Sequence, residues 1–228
     1  MGYFEEQIVQ YLRTSGDTTV TKIHGNFSKN STTMVQTYEE NYKTLMGDGT
    51  FMDKNFIEEL NKYPYESLMF KSLRGEFWIE ESFTKTEYCI EGEIRCGIQG
   101  VDFWHGDVEV YIGIDRLKNE HRAGFGYLEV PSMIGNRGIG TTLMLSVIDT
   151  IRVFKEFYSV SEAVTVCGWL STVDKRNGNW NISIPLYAKV GKLANVENYF
   201  TIKNDEKHYT VDDFLDISDS DGSIIYVI

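Results

Sequence analysis

A glycine-rich turn at the start of an apolar helix is the stretch best suited to chemistry. Gly135, Gly138 and Gly140 follow a strand-like segment that Pro131 ends. Apolar residues then recur with helical spacing from Leu143 onward. The first turn of a helix has backbone N–H groups without helical partners, and it lies at the positive end of the helix dipole. The stretch therefore predicts an anion-binding site, for which phosphate is a common ligand.

Two familiar phosphate-binding motifs do not fit this turn. A Walker A loop requires a lysine directly after its last glycine, where this chain has Thr141. The dinucleotide fingerprint G-x-G-x-x-G fits Gly138 and Gly140, but its third glycine position is Leu143. Each motif thus lacks a residue with a physical role, either the lysine that holds the outer phosphates or the glycine that lets helix and strand approach.

The turn resembles the acetyl-CoA loop of the Gcn5-related N-acetyltransferase family, Gln/Arg-x-x-Gly-x-Gly/Ala, which follows a strand ending near Val-x-Pro. The matching residues are Gly135, Gly138 and Gly140, with Gly135 in place of Gln or Arg. A second resemblance lies downstream, where residues 186–191 look like the family's Leu-Tyr-x-Lys-x-Gly helix. The family usually has Asn several residues before that tyrosine, where this chain has Trp180.

The resemblance implies a set of site residues. The family's general acid falls on Tyr187, which would protonate the departing thiolate. Glu129 is the candidate base that takes a proton from the amine, and the alternatives are Glu91, Glu93 and Glu109. The implied acetyl-CoA-binding residues are Leu128, Val130, Gly135, Asn136, Arg137, Gly138, Ile139, Gly140 and Thr141.

The amino-acid composition limits both the class of protein and the kind of partner that it can bind. The chain has 228 residues, of which 42% are hydrophobic and 14% aromatic, so a packed core is expected rather than disorder. The formal net charge of -12 argues against nucleic-acid binding by a basic surface and favours a cationic or neutral substrate. We expect the acceptor to be a primary amine of a small cationic molecule or of a protein, and the sequence also allows a homodimer.

Neither a metal site nor a disulfide framework is expected. Cys89, Cys96 and Cys167 are odd in number and lack a C-x-x-C pair, and the four histidines are dispersed. The first residues are acidic where a signal peptide would be basic, and no apolar run approaches membrane-spanning length. The sequence therefore predicts a cytoplasmic protein with no membrane partner.

The spacing of apolar residues changes along the chain and predicts two regions. Residues 1–75 have helical spacing and predict a helical N-terminal extension, whose third helix contains Phe56, Ile57 and Leu60. From residue 76 the spacing alternates, and the resemblance implies that residues 76–228 form an acetyl-CoA-binding catalytic domain like that of the acetyltransferase family. The fold class that the resemblance implies is α+β, a mixed and mainly antiparallel sheet flanked by helices. The predicted strands cover residues 77–81, 86–96, 107–114, 123–130, 163–170 and 223–228.

The leading hypothesis is an acetyl-CoA-dependent N-acetyltransferase, with acetyl-CoA as cosubstrate. The alternative is a non-catalytic acyl-CoA-binding or interaction module, because Gly135 and Trp180 stand where the family prefers polar residues. A purely structural interpretation also exists, in which the glycines only cap a helix and Tyr187 is a half-buried core residue. Ser183 is the predicted cap of the helix that carries Tyr187, with Pro185 in its first turn.

Overall fold

The computed structural model describes residues 54–101, 104–113, 122–203, 205, 207–216 and 220–228. The candidate helices at residues 4–12 and 31–46 lie outside these ranges, as does Asp53, the predicted cap of the third helix.

One eight-stranded open sheet organises the described residues, in the order β1-β2-β3-β4-β5-β6-β8-β7. Neighbouring strands are antiparallel except β5 and β6, which are parallel. The predicted mixed, mainly antiparallel sheet is thus present. The strands are β1 (Ser67–Arg74), β2 (Phe77–Lys85), β3 (Cys89–Ile98), β4 (His105–Gly113), β5 (Arg122–Glu129), β6 (Thr165–Leu170), β7 (Glu197–Ile202) and β8 (Gly222–Val227).

Five helices accompany the sheet in the part of the chain that the structure describes. Apart from the short helix at residues 172–176, which has no buried residue, their apolar side chains pack with those of the strands in one hydrophobic core. The helices are α1 (Lys54–Lys62), α2 (Ile139–Phe157), α3 (Thr172–Arg176), α4 (Trp180–Ala194) and α5 (Val211–Leu215), and a short 3-10 turn, Ser132–Ile134, precedes α2.

The alternation of side chains along each strand defines a helix-facing side and an opposite side of the sheet. Val108, Val110 and Ile112 of β4 are buried on the helix-facing side, as their spacing predicts. Helix α2 packs there against β3, β4 and β5. The opposite side of the same strands carries charged residues such as Asp107 and Glu109. A one-sided core of this kind leaves the other side of the central strands available for a polar site.

The sheet begins earlier than residue 76, the predicted start of the catalytic domain. Helix α1 does contain the buried residues Phe56, Ile57 and Leu60, as their spacing predicts. Residues 67–74 instead form β1, which pairs with β2 along its whole length. The apolar residues of this short segment fit both helical and strand spacing, and only the pairing with β2 distinguishes the two.

Helix α4 begins at Trp180, before the predicted cap at Ser183. The indole of Trp180 is 1% exposed and stacks on Phe214 at a centroid distance of 5.0 Å, so burial of this large ring extends the helix toward the N-terminus. Pro185 consequently lies inside the helix, in its second turn. The prediction of Ser183 as the cap is wrong for this reason.

Candidate active site

A β-bulge interrupts β5 near its end. Gly126 pairs with Glu109 and Glu129 pairs with Asp107, so two residues of β5 stand opposite the single Val108 of β4. Tyr127, within the bulge, has a φ of 46° and is 83% exposed. A left-handed backbone is costly for an aromatic residue, and such strain often occurs at functional sites.

Strands β5 and β6 part at the bulge. Their parallel pairing runs only from Arg122–Thr165 to Phe125–Gly168, although β5 continues to Glu129 and β6 to Leu170. We call the space between residues 126–129 of β5 and residues 169–170 of β6 the β5–β6 gap. In the part of the chain that the structure describes, no strand pairs with the backbone groups of β5 that face this gap, so they can bind an extended ligand.

The glycine turn, residues 135–140, leads from β5 into α2. Asn136 has a φ of 60° and Gly138, directly before α2, has a φ of 90°. Among the described residues no side chain caps the start of α2, so the N–H groups of its first turn have no side-chain acceptor there. Helix α2 has 19 residues, which gives the full dipole effect at that end. This geometry suits an anion at the N-terminus of α2.

The predicted cofactor-binding residues differ in how far each is exposed to solvent. Asn136, Arg137 and Gly138 are exposed at the turn, whereas the side chain of Ile139 is 1% exposed within the core. Ile139 can therefore contribute only its backbone. Leu128, Val130, Gly135, Gly140 and Thr141 are partly buried between these extremes.

Gly140 lies where α2, α4 and the end of β5 meet. A Cβ atom at this position would lie 3.2 Å from Leu186 Cδ2 and 3.7 Å from Val130 Cγ2. The absence of a side chain lets the three elements approach closely. The glycine turn and the helix that carries Tyr187 are therefore in direct contact.

Tyr187 lies on the helix-facing side of the sheet, against β5. Its ring is 5.6 Å from that of Phe125, the last β5 residue paired with β6, and the residue is 7% exposed. Burial, with a smaller effect from the Asp174 carboxylate, raises the pKa of Tyr187 to about 12. The hydroxyl is therefore protonated at neutral pH, and the raised pKa makes it a weaker acid than an ordinary tyrosine.

Glu129 lies on the opposite side of β5, where it faces Asp107. Burial is the main cause that raises the pKa of Asp107 above its usual value, and the carboxylates of Glu93 and Glu129 add to it. Like charges directly opposite each other on paired strands are destabilising. Asp107 is a candidate proton acceptor that the sequence analysis missed, because only the bulged register brings it opposite Glu129.

A concave acidic site, here called the acidic groove, lies beside this pair. It has a volume of about 630 Å³, which is in the usual range for ligand sites, and it includes Glu91, Glu93, Glu109 and Tyr111. Gly126, which also lines it, would place a Cβ 3.9 Å from Glu109 Oε2, so the missing side chain leaves the carboxylate open. The three alternative bases thus lie together.

Few cations neutralise the acidic groove within the described ranges. Arg95 forms an ion pair with Glu93 at 2.8 Å and lies 3.9 Å from Glu80, whose other oxygen pairs with Lys71 at 2.7 Å. Glu91 accepts a hydrogen bond from Cys89 Sγ, and no ion pair to Glu91 or Glu109 occurs among the described side chains. The groove therefore retains net negative charge and suits a cationic ligand.

Comparison of the chain with family models, with curated proteins and with solved structures gives no match. Within the described ranges, no helix is both long and apolar enough to cross a membrane. No cluster of three or more His, Cys, Asp or Glu residues suited to a metal ion occurs in the same part of the chain.

Proposed function

We propose that this protein is an acetyl-CoA-dependent N-acetyltransferase that acts on a primary amine. The observation that carries the proposal is the parting of β5 and β6 beside a bulge, together with the N-terminus of α2, where Gly140 lies against Val130 just after β5. A pantetheine arm could pair with the free backbone of residues 126–129, while the pyrophosphate would bind the N–H groups of the glycine turn. Bound acetyl-CoA supplies an activated acetyl thioester.

The positions of Tyr187 and Glu129 support acid–base chemistry across the gap. Tyr187 is on the helix-facing side of β5 and Glu129 on the opposite side, so a thioester in the gap would have a proton donor on one side and a proton acceptor on the other. The Asp107–Glu129 pair takes one proton from the substrate ammonium, and the free amine attacks the thioester carbonyl carbon. A C–N bond forms, the C–S bond breaks, and Tyr187 donates its proton to the thiolate. The nitrogen loses its second proton to the carboxylate pair or to water, and Tyr187 regains one, so each turnover releases one proton.

The acidic groove supports a cationic acceptor. Glu91 and Glu109 line it next to the Asp107–Glu129 pair, and an alkylammonium group entering there would be attracted by these carboxylates. A small polyamine, an aminoglycoside or a lysine side chain has the required charge. We place the reaction in the cytoplasm, because three cysteines without a pairing pattern are typical of a reducing compartment.

The alternative is a module that binds acyl-CoA without catalysis. Gly135 and Trp180 are the two residues that favour this alternative, and Trp180 has a structural explanation, since its ring is buried against Phe214. Calorimetry with acetyl-CoA, followed by assay of thiol release with a panel of amines, separates the two functions. Binding with turnover supports the enzyme, binding without turnover on a broad panel supports the module, and no binding contradicts both.

A further inference from the structure

Tyr226 of β8 contacts the helix that carries Tyr187. The Tyr226 hydroxyl donates a hydrogen bond of 2.9 Å to the backbone carbonyl oxygen of Tyr187, and Tyr226 is fully buried. A helical carbonyl oxygen has two lone pairs, so it can accept this bond in addition to a helical one. A buried hydroxyl is costly without a partner, whereas phenylalanine would fill the same space. The hydroxyl therefore adds a specific hydrogen bond to the helix, which the ring alone would not supply.

Three aromatic residues, Phe125, Tyr187 and Tyr226, lie together and link β5 to β8. The Phe125 ring of β5 is 5.6 Å from that of Tyr187 and 6.3 Å from that of Tyr226. Tyr226 pairs with Val166 of β6 and with Asn198 of β7. Tyr187 is thus held from two directions at the point where β5 and β6 part, by a ring on β5 and by a hydroxyl on β8.

Helix α4 also approaches β7 closely one turn after Tyr187. A Cβ at Gly191 would lie 2.3 Å from Asn198 Oδ1, so any larger residue would require the Asn198 side chain to move. Asn198 is the β7 partner of Tyr226. Gly191 therefore allows α4 to lie close to the paired strands β7 and β8. At that distance the Tyr226 hydroxyl forms its hydrogen bond to α4.

We propose that Tyr226 is a positioning residue, whose hydrogen bond to the Tyr187 backbone fixes the Tyr187 side chain against Phe125, the last β5 residue before the β5–β6 gap. The catalytic consequence depends on the proposed function, while the positioning itself does not. In the reaction, a misplaced proton donor slows the departure of the thiolate and leaves acetyl-CoA binding unchanged.

The first test measures position and needs no substrate. In Tyr226→Phe, the nuclear Overhauser effects between the ring protons of Tyr187 and Phe125 should weaken or shift to new proton pairs. Tyr158→Phe is the matched control, because Tyr158 also donates a hydroxyl hydrogen bond, of 3.2 Å to Asn61, at the far end of α2. Unchanged ring contacts in a folded Tyr226→Phe variant would overturn the proposal even if the protein proves to be no acetyltransferase.

The second test is a double-mutant cycle on turnover, measured with acetyl-CoA and any accepted amine. Tyr226→Phe alone should lower kcat by about three- to tenfold, within the usual coupling between neighbouring residues, with KM for acetyl-CoA unchanged. In the Tyr187→Phe background, Tyr226→Phe should have no further effect, because there is no longer a hydroxyl to position. An equal loss in both backgrounds, or an equal loss from Tyr158→Phe, would show a general structural effect and contradict the proposal.

Discussion

Asp107 of β4 lies directly opposite Glu129 of β5, and the next paired residues are Glu109 and Gly126, beyond the bulge. Two carboxylates therefore face each other at the end of the strand that borders the gap. Such a pair is destabilising in a sheet unless a cation or a proton occupies it. This relationship is the basis for assigning proton transfer to this side of β5.

The first prediction concerns the pKa of Asp107, which burial and then Glu93 and Glu129 raise above the usual 3.8. Glu129→Gln removes one of the two repelling charges, so the pKa of Asp107 should fall toward that value. Carboxyl carbon NMR measures it, and Glu197→Gln, an exposed change on β7, is the control. An Asp107 pKa that does not change in Glu129→Gln would contradict the interaction between the two carboxylates.

The same pKa shift affects stability with a definite sign. The folded protein favours the protonated form of Asp107, so the stability from this group is present below pH 3.8 and is lost as the pH rises through the raised folded pKa. Asp107→Asn should consequently increase the free energy of unfolding at neutral pH by about 0.3 kcal/mol, a small effect because solvent screens a partly exposed charge. The gain should disappear in acid, as denaturant titrations at several pH values would reveal.

The second prediction separates charge from bulk in the glycine turn. Gly138 has a φ of 90°, a conformation that Asn and Asp tolerate better than other side chains, and the nearest atom to an added Cβ is Phe77 Cζ at 3.4 Å. The side chains introduced by Gly138→Asp and Gly138→Asn are nearly equal in size, so the two variants differ mainly in charge. Calorimetry should show acetyl-CoA affinity at least about tenfold lower for Asp than for Asn, since a nearby like charge typically costs more than 1.4 kcal/mol at low dielectric. Equal affinities would remove the anion site from this turn.

The third prediction concerns the packing of Phe125 of β5 on Gly168 of β6, next to the β5–β6 gap. A Cβ at Gly168 of β6 would lie 2.1 Å from Phe125 Cζ, whereas at Gly126 of β5 the nearest atom is 3.9 Å away. Gly168→Ala should therefore destabilise the fold by about 1–3 kcal/mol through overpacking, and Gly126→Ala should cost much less. Chemical denaturation of both variants measures the difference, and similar stabilities would mean that Phe125 does not pack on β6 in this way.

The elements that the sequence predicts best are those with long, regular apolar spacing. Helix α2 extends over 19 residues with regular apolar spacing and is buried at every position from 142 to 151, and the alternation in β4 identifies its core residues correctly. Strand β7 was not predicted, because its burial pattern has only Phe200 fully buried and lacks clear alternation. Short edge strands of this kind are defined by their partner more than by their own sequence.

Parts of the candidate site depend on contacts that no local pattern encodes. The Asp107–Glu129 pairing depends on the bulge, because a shift of one residue in register changes which side chains are opposite. The hydrogen bond from Tyr226 to Tyr187 joins residues 39 positions apart. The sequence did identify the glycine turn, because glycines at the start of an apolar helix have a local physical meaning.

The fourth prediction tests Tyr187 as the proton donor. Tyr187→Phe keeps the ring against Phe125 and removes only the hydroxyl, so acetyl-CoA affinity should be unchanged while kcat falls by about ten- to a thousandfold. The steady-state rate and calorimetry together measure the two effects, and Tyr158→Phe is again the control for loss of a tyrosine hydroxyl. A kcat within about twofold of the parent would make Tyr187 a structural residue.

The most direct test of the proposed acetyl transfer combines one cosubstrate with amines of different charge. The wild-type protein is incubated with acetyl-CoA and a polyamine, an aminoglycoside, a lysine peptide or a neutral amine, and both free thiol and acetylated amine are quantified. We expect equal amounts of the two products with at least one cationic amine. Glu109→Gln should lower kcat/KM for that amine by about two- to tenfold, since one groove carboxylate near an ammonium contributes about 0.5–1.5 kcal/mol. Absence of acetyl-CoA-dependent product with every amine would contradict the account.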